Sequence, residues 1–289
     1  MVVVLAYKYS ESLGKKLAKA IGAEFSMVKV KQFPDGEKLV QVLTEVGGKK
    51  AIVVSSLFNP DEKIIDLCLT ADTLKDLGAS KCVLVAPYLC YMRQDKRFHK
   101  GESISSKTIA RLISPSFDKL ITVDPHLHRY KSLNIIYRLK TKVLTANHLL
   151  ADYIKEGWKK DVVIIGPDAE SYQWAKAVAK RVNAPATVCK KTRFSSRHVE
   201  INLATNLKLT KKHVFIVDDI ISTGHTMLEI VKLVKASRPA SITCMGVHGL
   251  FVEEAYEKLR KAGAEIITTN TIPHKTNKID ITKLLSENV

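Results

Sequence analysis

The sequence has 289 residues, 46 % of them hydrophobic, and 46 Lys and Arg against 29 Asp and Glu give a net charge of +17. The apolar share supports folded cores rather than a disordered chain, and the length allows one large or two medium domains. No apolar run approaches a bilayer span, and the five scattered cysteines, without a CxxC pair, argue against a disulfide scaffold or a cysteine metal site.

Met1 to Ala6 is too short and lacks the basic lead-in of a signal peptide, so it reads as a first strand and the protein is expected to be soluble and cytoplasmic, with no membrane partner. From there, apolar runs at Val2 to Ala6, Ala51 to Ser55, Cys82 to Ala86, Leu120 to Val123, Val162 to Ile165, Val214 to Val217, Ile242 to Val247 and Ile266 to Thr268 alternate with helical patterns. Short, continuously apolar, β-branched runs read as strands buried on both faces. Their alternation with helices predicts stacked βα units around mainly parallel sheets.

The halves of the chain match each other. VVVLAYKYSES from Val2 answers VVIIGPDAES from Val162, KAIVVSSLFNPDE from Lys50 answers KHVFIVDDIISTG from Lys212, and FDKLITVDPH from Phe117 answers GAEIITTNTIPH from Gly263. A duplicated α/β domain is therefore expected, with an insertion in the first copy after Tyr91. That insertion, YMRQDKRFHKGES, carries Arg93, Lys96, Arg97, His99 and Lys100 among aromatic residues, a composition suited to a polyphosphate attached to a stacking base. Elsewhere the lysines are spread evenly and no nucleic-acid motif stands out, so phosphorylated substrates and solvated helix faces account for the charge, and no nucleic-acid partner is expected.

The stretch VFIVDDIISTGHT, Val214 to Thr226, holds the densest chemistry. A buried strand over Val214 to Val217 places Asp218 and Asp219 at its carboxyl end, where ligands of open α/β sheets bind. Met227, Leu228, Ile230, Val231, Leu233 and Val234 then recur at helical spacing, so Ser222 to Thr226 wrap a helix N-terminus, whose N–H groups and dipole attract anions. Hydroxyls of Ser222, Thr223 and Thr226 add donors for a sugar phosphate. At the matching place the first copy has Ser56, Leu57 and NPDEK, so it lacks this loop.

FPDGE (Phe33 to Glu37), YMRQD (Tyr91 to Asp95), TVDPH (Thr122 to His126), GPDAES (Gly166 to Ser171), KKTR (Lys190 to Arg193) and VDDIISTGHT (Val217 to Thr226) occur in the order seen in ribose-phosphate diphosphokinases, which the chain resembles over nearly its whole length. The resemblance implies two tandem type I phosphoribosyltransferase-like domains, each a mainly parallel sheet flanked by helices. Their expected spans are residues 1–145 on the ATP side and 146–289 on the ribose 5-phosphate side, with the last residues free to pack back on the first domain. It implies a Mg2+-dependent transfer of the diphosphoryl group of ATP to the 1-hydroxyl of ribose 5-phosphate.

By the same resemblance, Asp218 and Asp219 with Ser222, Thr223, Gly224, His225 and Thr226 hold ribose 5-phosphate. Arg93 and Gln94 contact ATP, and Phe33, Asp35, Gly36 and Glu37 reach the adenine of a neighbouring subunit, which makes the enzyme a homo-oligomer, dimer or higher, with a shared active site. His126 and Asp168 are the implied metal positions; Asp168 suits magnesium better, because that ion prefers oxygen. Lys191 and Arg193 are implied in a mobile catalytic loop, where they neutralise charge on the transferred group. Many relatives carry an acid in place of Ser222 and a small residue in place of His225. The alternatives are a phosphoribosyltransferase that consumes phosphoribosyl diphosphate and a non-catalytic regulator on the same fold.

Overall fold

The computed structural model of the chain describes every residue except Glu170, Phe194 to His198 and Asn206, and only the backbone of Lys190 to Arg193 and of Val199 to Ile201. Backbone contacts divide the chain into two units, Met1–Leu144 with Thr271–Pro273 and Ile281–Val289, and Thr145–Asn270 with His274–Asp280.

In the first unit the elements are β1 (Val2–Ala6), α1 (Glu11–Ile21), β2 (Glu24–Gln32), β3 (Lys38–Val42), β4 (Lys50–Val54), α2 (Pro60–Asp76), β5 (Lys81–Ala86), α3 (Ser105–Ile113), β6 (Lys119–Val123) and β7 (Lys140–Leu144). They form one sheet in the order β3-β2-β1-β4-β5-β6-β7. All neighbours are parallel except β2 and β3, which form an antiparallel hairpin. Val3 to Ala6, Ala51 to Val54 and Val83 to Ala86 are wholly shielded from solvent, as continuous apolar runs require in a sheet covered on both faces. Leu67 and Leu74 of α2 and Ala110 and Ile113 of α3 pack into the same core.

The second unit repeats this plan. Its elements are α4 (Asn147–Gly157), β8 (Val162–Gly166), α5 (Tyr172–Val182), β9 (Ala186–Arg193), β10 (Val199–Leu203), β11 (His213–Ile221), α6 (His225–Ala236), β12 (Ser241–Gly249), α7 (Ala255–Lys261), β13 (Glu265–Thr269) and β14 (Asn277–Ile279). The sheet order, β10-β9-β8-β11-β12-β13-β14, corresponds strand for strand to that of the first unit, including an antiparallel pair at the same edge. A last helix, α8 (Thr282–Ser286), belongs to the first unit and packs on α1. Lys119 Nζ also donates to the Asn288 carbonyl, at 3.1 Å.

The expected strands are present, with different ends. β11 runs through the aspartate pair to Ile221 because β12 continues beside it, pairing Ile221 with Gly249. β9, which was not among the apolar runs, carries the KKTR segment and pairs antiparallel with β10. The hairpin strands β2, β3 and β10 and the edge strands β7 and β14 are additional; their residues alternate or are largely polar, so they lack a continuous apolar run. Among the described residues no helix is long and apolar enough to cross a membrane.

The seating of α1 on β1 depends on Gly14, where an added Cβ would stand 2.6 Å from Ala6 Cβ and 3.0 Å from the Phe25 ring. A Cβ–Cβ approach that short forces the helix off the strand. Gly14→Ala is expected to destabilise the protein by about 1–3 kcal/mol through overpacking, more than the about 1 kcal/mol that alanine gains in helix propensity. A melting temperature equal to or above that of the parent would contradict this packing account.

Candidate active site

Three carboxylates gather at the carboxyl end of the second sheet. β8 and β11 are parallel neighbours, pairing Ile164 with Phe215, so the Asp168 turn and the Asp218–Asp219 pair emerge from the same end. The Asp168 turn is fixed by reciprocal bonds: Ser171 N–H donates to Asp168 Oδ1 at 2.8 Å, and Asp168 N–H donates to Ser171 Oγ at 3.0 Å. Asp219 is only 4 % exposed, and its N–H donates to Asp218 Oδ1 at 3.0 Å. The Asp218 carboxyl is pushed well above the usual carboxylate range, first by burial and then by the negative charges of Asp219 and Asp168. A carboxyl in that state takes up a proton or is relieved by a nearby cation.

Beyond Ile221 the chain turns through Ser222, Thr223 and Gly224 into α6, whose first turn holds His225 and Thr226. Gly224 has φ 69°, a left-handed conformation that glycine adopts without strain. A Cβ there would also meet Ala255 Cβ at 3.1 Å. Leu228 N–H donates to the Gly224 carbonyl at 2.8 Å, so the N–H groups ahead of it remain directed out of the helix head. All seven residues assigned to ribose 5-phosphate thus lie on one strand, loop and helix start.

The matching corner of the first unit is built differently. α2 is also entered through a left-handed residue, Asn59. Its head, however, is filled by Lys63, which is 9 % exposed. The Lys63 ammonium donates to the carbonyls of Ser56 (3.2 Å) and Phe58, and lies 3.2 Å from the Phe58 ring centre and 4.1 Å from that of Tyr9. Burial pushes this amine down to about 8. Ser56, which stands where the second unit has Asp218, donates its hydroxyl to the Thr271 carbonyl at 2.6 Å. An internal cation and an uncharged serine therefore stand in the first unit where the second has a hydroxyl loop and an aspartate. Lys63 was not among the residues singled out from sequence. A lysine in the first turn of a helix, against the macrodipole, was the available signal.

Phe33, Asp35, Gly36 and Glu37 form the turn between β2 and β3. Gly36 N–H donates to the Phe33 carbonyl at 2.9 Å, and Glu37 N–H to Asp35 Oδ1 at 3.1 Å. Arg93 and Gln94 follow β5, and two strands separate β5 from β2. At the usual strand spacing the two parent strands lie roughly 14 Å apart across the sheet. The basic loop after β5 is drawn closed by Glu102, another residue not foreseen. Its carboxylate accepts from Gln94 Nε2 (3.2 Å), the Phe98 N–H (2.8 Å) and His99 Nδ1 (2.6 Å). Arg129 Nη1 donates to the buried Asp95 at 2.7 Å, which anchors the other end of the loop. Phe98 stays half exposed, with Lys96 Nζ 5.0 Å from its ring centre.

His126 follows β6, and its Nδ1 lies 3.1 Å from Nε2 of His128. Lys191 and Arg193 sit on extended strand β9, opposite Ile201 and Val199. Their side chains lie outside the described residues.

The raised Asp218 carboxyl makes a pH prediction. Its protonated form supports folding below the ordinary carboxylate range near pH 4, and that support is lost as the pH rises through its elevated folded value. Asp218→Asn is therefore expected to melt about 3 °C or more above the parent at pH 7 without ligands, with the difference vanishing below pH 4. A variant less stable than the parent at pH 7 would contradict the assigned cost of burying this carboxylate beside Asp219 and Asp168.

Residues 2–116 match the N-terminal domain of ribose phosphate pyrophosphokinase, and residues 132–280 match the phosphoribosyl transferase domain. The chain is 33 % identical to a ribose-phosphate pyrophosphokinase of Sulfurisphaera tokodaii, over 97 % of this chain and 96 % of that protein. It is 35 % identical to one of Pyrococcus furiosus, over 90 % and 91 %. Its fold matches the crystal structure of phosphoribosylpyrophosphate synthetase from Mycobacterium smegmatis with a TM-score of 0.86, at 24 % identity over 99 % of this chain and 96 % of that one. The chain belongs to the ribose-phosphate pyrophosphokinase family.

Proposed function

We propose that this chain is a ribose-phosphate diphosphokinase, transferring the diphosphoryl group of ATP to the 1-hydroxyl of ribose 5-phosphate and releasing AMP. The observation that carries the reading is the asymmetry of its repeat: one unit holds the Asp168, Asp218 and Asp219 carboxylates and a hydroxyl-rich loop at a helix start, while the other holds a buried lysine at the matching helix start and a basic loop. A phosphoribosyltransferase needs the first arrangement alone. A transfer between two phosphorylated substrates needs two differentiated halves.

In this reading the division between Thr145 and Ala146 separates an ATP half from a ribose 5-phosphate half. Ser222 to Thr226 hold the 5-phosphate, and Asp218 and Asp219 accept hydrogen bonds from the ribose hydroxyls. Arg93 and Gln94 engage ATP, with Phe98 as an exposed aromatic surface beside them. Phe33, Asp35, Gly36 and Glu37 serve the ATP of a second copy, in a homo-oligomer with a shared site. The 1-hydroxyl oxygen forms a bond to the β-phosphorus as the bond from that phosphorus to the α,β-bridging oxygen breaks in line, and AMP leaves with that oxygen. Lys191 and Arg193 neutralise the charge that develops on the transferred group.

The metal is Mg2+. The Asp168 carboxylate oxygens suit a hard cation, whose charge would also relieve the buried Asp218 beside it. Asp168 is the proposed ligand on the second unit and His126 on the first. When bound, magnesium supplies charge neutralisation to the polyphosphate. ATP, ribose 5-phosphate and further copies of the chain are the proposed partners, in the cytoplasm.

Purified protein with ATP and Mg2+ is expected to form AMP only when ribose 5-phosphate is added; no AMP under those conditions would overturn the proposal. Lys191→Ala is expected to lower kcat by about a hundredfold or more, with KM changed far less, since its contact is assigned to the transition state. Steady-state kinetics with an unchanged kcat would remove Lys191 from the machinery.

A further inference from the structure

His225 opens α6 yet is 65 % exposed, so its imidazole is not committed to packing. Its Nε2 lies 3.8 Å from Glu253 Oε2, which is an ion-pair distance and too long for a hydrogen bond. Among the described residues no other charged group pairs with it. Glu253 belongs to a segment in which Phe251, Glu253 and Glu254 have φ of 50°, 54° and 58°, left-handed conformations that side chains adopt only under constraint. That segment is fixed against the loop: Phe251 N–H donates to the Ile221 carbonyl at 3.1 Å, and the Phe251 ring lies 4.5 Å from that of His274. A carboxylate is thus held beside a helix N-terminus and an imidazole, the two features that would receive an anionic ligand.

We propose that His225 is a side-chain contact for the 5-phosphate of ribose 5-phosphate, and that Glu253 is a built-in anion that occupies His225 until the substrate displaces it. The inference deepens the reading of Ser222 to Thr226 as the sugar-phosphate loop and rests on it. Exposed ion pairs shift an equilibrium by about fivefold at most. A phosphate dianion, held also by the loop N–H groups, therefore displaces Glu253 easily, and the carboxylate sets a modest competition. It acts on affinity and leaves the chemical step alone.

Calorimetric titration of the full chain with ribose 5-phosphate, with unphosphorylated ribose as control, tests this in the parent and in His225→Ala, His225→Gln, Glu253→Gln and the His225→Ala/Glu253→Gln double variant. His225→Ala is expected to weaken ribose 5-phosphate binding about tenfold, the worth of one charge-assisted hydrogen bond. Binding of unphosphorylated ribose should stay near the parent value. His225→Gln, which keeps an N–H donor without the charge, should fall between the two. Glu253→Gln should tighten binding about two- to fivefold, and the double variant should match His225→Ala, because Glu253 acts only through His225. Unchanged binding in His225→Ala, or tightening by Glu253→Gln that persists in its background, overturns the inference. The parent separates this from the underlying reading: a parent that neither binds ribose 5-phosphate nor forms AMP refutes the function itself, whereas an active parent with an indifferent His225 refutes only the contact.

Discussion

The structure of the second unit depends on one electrostatic constraint: three carboxylates held at the same end of a parallel sheet. Parallel pairing of β8 with β11 makes their carboxyl ends coincide, so Asp168 and the Asp218–Asp219 pair have no route apart from one another. Antiparallel strands would have sent them to opposite ends. Burial of Asp218, and after it the charges of Asp219 and Asp168, weigh against the ionised, ligand-free state, which persists because well-packed apolar strands on either side over-determine the backbone. The same burial and repulsion make the site receptive to cations and hydroxyl donors.

Much of this was legible in the sequence, for a definite reason. Strands buried on both faces, such as Val2 to Ala6 and Val214 to Val217, must be continuously apolar, and that pattern survives without knowledge of their neighbours. Asp218, Asp219 and Ser222 to Thr226 were legible too, since strand, loop and helix are contiguous. Hairpin strand β3 was not: Lys38 to Val42 alternate between exposed and half-buried and acquire strand geometry from pairing with β2. The reach of β11 to Ile221 is likewise set by its neighbour β12, and no local pattern encodes it. The placement of Lys63 depends on a distant aromatic neighbour and that of Glu253 on unusual backbone geometry, while Glu102 gathers donors of its own loop. Each lies in a stretch that reads as an ordinary charged surface.

The two units show how a duplicated fold divides labour. The sheets remained equivalent strand for strand, and both helices after the fourth strand are entered through a left-handed residue. Divergence is concentrated in what sits at that helix head. In the first unit an internal ammonium satisfies two carbonyls and two aromatic faces, so the position is saturated from within. In the second the matching helix start carries Ser222, Thr223 and Gly224 ahead of His225. The unit that gave up the loop carries the basic insertion instead, so the change reads as specialisation rather than decay.

The return of Ile281–Val289 to the first unit has a consequence for biogenesis. The first sheet is fully translated by Leu144, but the segment that covers α1 leaves the ribosome only after the whole second unit. The usual order, in which the N-terminal domain finishes first, is therefore reversed. The second unit acquires all of its strands while the first still waits for α8. Removing a handful of residues from the far end would injure the half that was made first.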